Sequence, residues 1–254
     1  MARLPILLLR KTMRLDLYIF SNGLADSRTA AKNHVLAGNV TVSGKIIKKP
    51  SYEVSDGAMV EVKCSDDKYV SRGGIKLEEA LRNFAINVAG ADALDIGAST
   101  GGFTDCLLNH GARHVIAVDS GTNQLVRALR ESAKVTVKEN FNARYMTRDD
   151  LIYVPTIAVM DVSFISATLI IPAVYSCLAE GGDFVCLIKP QFEVGRENLG
   201  KNGIVKNEKY RRLAIEKVVQ SAESVGFSTL SVIASPITGG DGNVEFLAHF
   251  RKLK

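Results

Sequence analysis

Leu94-Asp95-Ile96-Gly97-Ala98-Ser99-Thr100-Gly101-Gly102-Phe103-Thr104-Asp105 is the stretch on which the fold turns. It reads as the end of an apolar strand, an acidic residue, a glycine-rich turn and the start of a helix. Outward from it the alternation continues. Helices are expected over 75–84, 102–110, 122–131, 166–179 and 207–224, and strands over 92–96, 114–118, 134–138, 156–161, 183–188, 228–234 and 244–250. Such alternation predicts an α/β architecture, a parallel sheet with helices on both faces. In these sheets nucleotides bind outside the carboxyl ends of the strands, where this turn lies.

The turn also narrows the ligand. Its glycines let a backbone approach closely, and the helix N-terminus offers unbonded N–H groups. Asp119 ends the next strand, 22 residues after Gly97, placed to accept hydrogen bonds from ribose hydroxyls. A dinucleotide site wants Gly-x-Gly-x-x-Gly for its pyrophosphate, whereas here Ser99 stands at the second glycine. That favours a nucleoside without phosphate, such as S-adenosylmethionine. Asp95 is expected at the mouth of the turn to meet its positive end, with Gly97, Ala98, Ser99, Thr100, Gly101 and Asp119 as the cradle.

Four further charges stand where a parallel sheet presents its working edge. Lys76 follows Arg72-Gly73-Gly74 at the start of a helix, and Asp161 ends the strand Ile157-Ala158-Val159-Met160. Lys189 ends Phe184-Val185-Cys186-Leu187-Ile188 and is fixed by Pro190, and Glu245 enters the final strand. Singly, a charged strand end is usually a solvated one. Together they suggest proton chemistry. An amine partly desolvated near another cation releases its proton more readily, so Lys189 beside Lys76 is expected to act as a base, with Asp161 and Glu245 orienting the two lysines. Segment 195–206, with Gly200 and Gly203, reads equally as a surface loop or a cover over substrate.

The chain carries 32 Lys plus Arg against 27 Asp plus Glu, and residues 1–64 hold 10 of the former and 5 of the latter. The whole excess therefore lies at the front, as expected of a phosphate-binding module that delivers substrate to an enzyme. The length and 46% hydrophobic content suit two domains, expected at 13–64 and 71–254 with a linker at 65–70. In the first, Leu15, Leu17, Ile19 and Phe20 predict a helix from Met13 to Asn22-Gly23. A second helix starts at Asp26 or Ser27 and ends at Gly38, with Ala30, Ala31, Val35 and Leu36 on one face. A hairpin over 40–47 turns at Ser43-Gly44, and a strand follows over 54–62. Arg14, Arg28, Lys32, Lys45, Lys48, Lys49 and, past the linker, Arg72 are candidate RNA contacts. This unit resembles the RNA-binding domain named after the fourth small-subunit ribosomal protein.

The turn at 97–105, Val118-Asp119-Ser120-Gly121-Thr122-Asn123-Gln124-Leu125, Met160-Asp161-Val162-Ser163-Phe164-Ile165-Ser166 and Lys189-Pro190-Gln191-Phe192-Glu193 resemble, in order, the TlyA family of ribosomal RNA methyltransferases, hemolysin-annotated and related to FtsJ. The likeness runs from about Met13 to the C-terminus. It implies a Rossmann-like methyltransferase fold, a mostly parallel seven-stranded sheet whose last strand is antiparallel. It also implies methylation of cytidine ribose 2′-hydroxyls in 16S or 23S ribosomal RNA by a Lys-Asp-Lys-Glu tetrad. The tetrad falls on Lys76, Asp161, Lys189 and Glu245, and the adenine beside Glu139-Asn140, where Asn142-Ala143-Arg144-Tyr145 also matches. Asp161 then serves cofactor and catalysis. One form of the family has Trp where this chain has Lys68-Tyr69-Val70.

Other functions are less well served. A non-catalytic assembly factor has no need for Asp119, Lys189 and Glu245 together. A dinucleotide oxidoreductase is disfavoured by Ser99. A membrane-active hemolysin wants an amphipathic or apolar segment, and Met1 to Thr12 is too short to span a membrane or serve as a signal. Cys64, Cys106, Cys177 and Cys186 contain no paired-cysteine motif, and His34, His110, His114 and His249 lack ligand spacing. No metal, no membrane partner and a cytoplasmic setting are expected.

Overall fold

The computed structural model describes residues 12–25, 28–55, 57–62 and 68–253. Met1–Lys11, Cys64 and the expected start of the second helix at Asp26 or Ser27 lie outside the described residues. The chain forms two compact units that divide between Asp67 and Lys68.

The first unit opens with strand β1, Thr12–Arg14, and helix α1, Leu15–Ser21. Met13 is therefore in a strand, not a helix. Helix α2 spans Arg28–Ala37, and strands β2, Val40–Val42, and β3, Lys45–Ile46, form the expected hairpin. The expected strand 54–62 is two strands, β4, Glu53–Ser55, and β5, Val60–Val62, because the chain turns at Gly57 with φ +79°. β4 pairs with β1 and β5 with β2, so the two belong to different sheets. Leu15, Ile19, Ala31, Val35, Val40, Val42 and Val54 make the core, while Leu17, Phe20 and Leu36 face solvent.

The second unit begins at Lys68, earlier than expected. Tyr69 is buried, the Val70 N–H donates to Asp105 Oδ2 at 2.8 Å, and Lys68 pairs with Glu78. Its elements are α3, Gly73–Asn83; β6, Asp92–Ile96; α4, Gly102–Asn109; β7, His114–Val118; α5, Arg127–Arg130; β8, Val135–Lys138; β9, Ile157–Met160; α6, Ile171–Cys177; β10, Asp183–Ile188; α7, Glu208–Ser224; β11, Phe227–Ala234; and β12, Phe246–Lys252. The sheet order is β11-β12-β10-β9-β6-β7-β8. β12 runs antiparallel to both neighbours, and β10, β9, β6, β7 and β8 pair in parallel.

Strand alternation divides the core. Leu94, Ile96, Ala158, Met160, Phe184 and Ile188 pack with α6 and α7, while Ala93, Ile157, Val159, Val185 and Leu187 pack with α3 and α4. Both faces are buried, so the strands read as near-continuous apolar runs. Gly97 is required where β6 ends. Its φ is +84°, and a Cβ there would sit 2.3 Å from the Asp161 carbonyl oxygen. The missing side chain lets the ends of β6 and β9 come together under the site.

Candidate active site

Asp161 and Lys189 follow the neighbouring parallel strands β9 and β10, so their side chains emerge at one sheet edge. Lys189 Nζ lies 2.5 Å from Asp161 Oδ1 and donates a hydrogen bond to Ser163 Oγ at 2.8 Å. Ile188 stands opposite Phe246 in the antiparallel ladder, which brings Glu245 to that edge too. Lys76, in the first turn of α3, reaches Glu245 Oε2 at 2.5 Å. The nearest charge to each lysine is thus a carboxylate. Asp161 and Glu245 hold one lysine each, Lys189 and Lys76.

The second pair is the more enclosed, with Lys76 8% and Glu245 2% exposed. Removing one partner of a buried pair leaves the other charge without compensation. Glu245→Ala is expected to cost about 3–5 kcal/mol of stability, measured by urea denaturation. Joint replacement of Lys76 and Glu245 by Met and Leu should recover most of that loss.

A cleft of about 330 Å³ opens beside the first pair. Gly97, Ser99, Asp119 and Asp161 line it with apolar walls from Phe141, Ile165 and Ile170, and no lysine or arginine lines it. Its carboxylates, Asp119 and the Lys189-paired Asp161, suit a sulfonium or ammonium better than a pyrophosphate. Asp119 accepts hydrogen bonds from Ser99 N at 2.8 Å and Gly121 N at 2.7 Å, which hold its carboxylate at the cleft wall.

Asp95 lies beneath the turn rather than at its mouth, and is wholly buried. Burial pushes its carboxyl up to about 7, against the pull of Thr104 and with help from Asp161 and Asp119. Thr104 Oγ1 donates to Oδ2 at 2.6 Å, and Oδ1 has no partner. Buried acceptors are rarely left so.

Ala98, Thr100, Gly101 and Asn140 do not line the cleft. Ala98 packs with Leu125 and Leu129, and a Cβ on Gly101 would meet those same leucines. Asn140 turns the chain with φ +54°, and the next residues, Phe141 and Asn142, line the cleft instead. Glu139 is structural. Burial opposes its charge, yet Arg130 and the N–H groups of Asn123, Leu125 and Gln124 outweigh that and hold its carboxyl down at about 2. Those contacts draw 123–125 into a loop, so the helix expected over 122–131 shrinks to α5.

Sequence reasoning also missed Glu193. Its carboxylate accepts from Ser166 Oγ at 2.5 Å and Ala167 N at 2.7 Å, and Lys217 lies 3.1 Å away. It therefore pins the loop carrying Asp161 and Ser163 to the loop carrying Lys189. Small misplacements of reacting groups cost about a hundredfold in rate. Glu193→Ala should lower kcat by about that factor with little change in cofactor affinity, read by single-turnover kinetics.

Segment 195–206 is held at its far end by the buried Asn243, whose Oδ1 accepts from Val205 N at 2.9 Å and whose Nδ2 donates to Gly203 O at 3.1 Å. In the first unit, Lys32, Lys45, Lys48 and Lys49 are exposed, while Arg14 and Arg28 both bond the buried Asp16. Arg72 is exposed at the start of α3. Cys106, Cys177 and Cys186 are buried and unpaired, no metal-holding group occurs among the described residues, and none of their helices is long and apolar enough to cross a membrane.

Residues 69–252 match the FtsJ-like methyltransferase model and residues 13–60 the S4 domain model. The 16S/23S rRNA (cytidine-2'-O)-methyltransferase TlyA of Mycobacterium tuberculosis is 42% identical over 94% of this chain and 89% of its own. The chain belongs to the TlyA family of FtsJ-like methyltransferases. Hemolysin A of Brachyspira hyodysenteriae is a similar family relative, 43% identical over 94% of this chain and 99% of its own. A solved structure from Streptococcus thermophilus, labelled a candidate hemolysin, shares 45% identity with a TM-score of 0.76, covering 96% of this chain and 89% of that one. Both ion pairs lie within the residues that match the FtsJ-like model, and Arg14, Arg28, Lys32, Lys45, Lys48 and Lys49 lie within those that match the S4 model.

Proposed function

We propose that this TlyA-family chain uses S-adenosylmethionine to methylate the ribose 2′-hydroxyl of cytidine in ribosomal RNA, in the cytoplasm. The observation that carries the reading is that Lys189–Asp161 and Lys76–Glu245 stand at one sheet edge and that Asp161, with Asp119, also lines the cleft. The residues fit the cofactor. Asp119 would meet ribose hydroxyls, Phe141, Ile165 and Ile170 would flank an adenine, and Asp161 would face the positively charged end. When bound, S-adenosylmethionine supplies the methyl group on a sulfonium.

The chain's own residues do the rest. Lys189 acts as the base that takes the proton from the 2′-hydroxyl, and Asp161 and Ser163 hold its nitrogen at the cleft. Lys76 is held by Glu245 as a fixed cation and steadies the negative charge that develops on the ribose oxygen. The basic first unit supplies attraction for RNA. Calorimetry should show binding of S-adenosylmethionine and none of NAD. Labelled methyl groups should then appear at cytidine 2′-oxygens of ribosomal subunits from cells lacking the gene. Binding of NAD, or label on a base, would sink this reading.

A further inference from the structure

Asp16 is the anomaly of the basic unit. It is an acidic side chain only 4% exposed, and the guanidiniums of two RNA-binding candidates, Arg14 and Arg28, converge on it. Arg14 donates from Nε to Oδ1 and from its terminal nitrogen to Oδ2, each at 3.0 Å. Arg28 donates from Nε and its terminal nitrogen to Oδ2, at 3.3 and 3.2 Å. The three residues come from three elements. Arg14 ends β1, Asp16 lies in the first turn of α1 and Arg28 opens α2, so the carboxylate fixes where both arginines stand.

A guanidinium has five N–H donors in a planar fork. Each arginine commits its Nε side to Asp16 and leaves its outer end unbonded among the described residues, while its side chain remains about half exposed, 46% for Arg14 and 54% for Arg28. The outer end of the fork is what meets a phosphate in bidentate fashion. The cluster keeps a net positive charge, two cations against one anion. Both terminal nitrogens bond the same Oδ2, so the two forks are presented side by side rather than on independently mobile stems.

We infer that Asp16, although negative, strengthens RNA binding by holding Arg14 and Arg28 as a paired grip on the phosphodiester backbone. It is a positioning residue. This deepens the RNA reading above, which it assumes. Two effects oppose one another. Removing a negative charge from a basic face favours a polyanion, whereas freeing two rotamer-rich side chains adds an ordering cost to binding. With both arginines committed to one carboxylate, the second effect wins.

The test is fluorescence anisotropy of the full chain with a ribosomal RNA stem-loop transcript. Asp16→Asn, nearly isosteric, should weaken binding about tenfold despite raising the net charge. Glu53→Gln removes another negative charge near Arg14 and should leave binding unchanged or tighter. In an Arg14→Ala, Arg28→Ala background, Asp16→Asn has no arginine left to place, and its effect should vanish or reverse sign. A folding defect would instead weaken binding in both backgrounds. Binding of Asp16→Asn as tight as wild type, or an equal loss in both backgrounds, overturns the inference alone. A wild-type chain that fails to bind the transcript overturns the RNA reading as well.

Discussion

Lys189→Ala is expected to lower methyl transfer by about 10²–10⁴-fold while leaving affinity for S-adenosylmethionine within a few-fold. The expectation follows from where the side chain sits. Lys189 does not itself line the cleft, and its nitrogen meets Asp161 and Ser163, which do. In the proposed mechanism its removal takes away the proton acceptor and leaves the residues that line the cleft in place. Lys189→Arg should fare no better, since a guanidinium keeps its proton at any working pH. Single-turnover transfer and a binding isotherm on the same preparation separate the two effects. Retained turnover in Lys189→Ala would remove it from the role of base.

The second large effect concerns Asp95. The folded carboxyl keeps its proton up to about pH 7, whereas an ordinary aspartate releases it near 3.8. The stabilisation that this proton provides is complete below about pH 4 and is lost as the pH rises to about 7, a span worth about 4 kcal/mol. Asp95→Asn cannot ionise. Melting curves of wild type between pH 4 and 8 should therefore fall relative to those of Asp95→Asn, and parallel curves would contradict the buried-proton account.

Much of the second unit was legible because its sheet is buried on both faces. The strands Asp92–Ile96, His114–Val118 and Asp183–Ile188 fall on the expected residues, since an uninterrupted apolar run bounded by polar residues has few other interpretations. Helices were legible only where nothing outside them competed for their backbone. The one expected over 122–131 lost its first residues to Glu139, and that over 166–179 is split into a short 3-10 turn, Ala167–Leu169, and α6, with Glu193 bonding at the entry to that turn. No local pattern announces such captures.

The site divides in the same way. Lys76, Asp161, Lys189 and Glu245 were visible as charges at element ends, but which lysine meets which carboxylate was not, because Lys76 and Glu245 are 169 residues apart. Glu193 and Asp16 were invisible as buried anchors. One looks like the tail of a motif and the other like a charge in a helix. Burial is what gives each its meaning, and burial belongs to the folded chain.

The antiparallel strand β12 has a consequence for how the enzyme comes into being. It is threaded between β10 and β11, and Glu245 arrives with it. A chain clipped or stalled before Gly242 would still carry the glycine-rich turn, Asp119, Asp161 and Lys189, but not Leu247, Ala248 and Phe250 of the two cores. It would lack the counter-charge for Lys76, and β10 would present an open ladder edge where β12 belongs. The counter-charge of Lys76 is thus the last of these groups to be synthesised, and an incomplete chain exposes a ladder edge prone to pair with another copy.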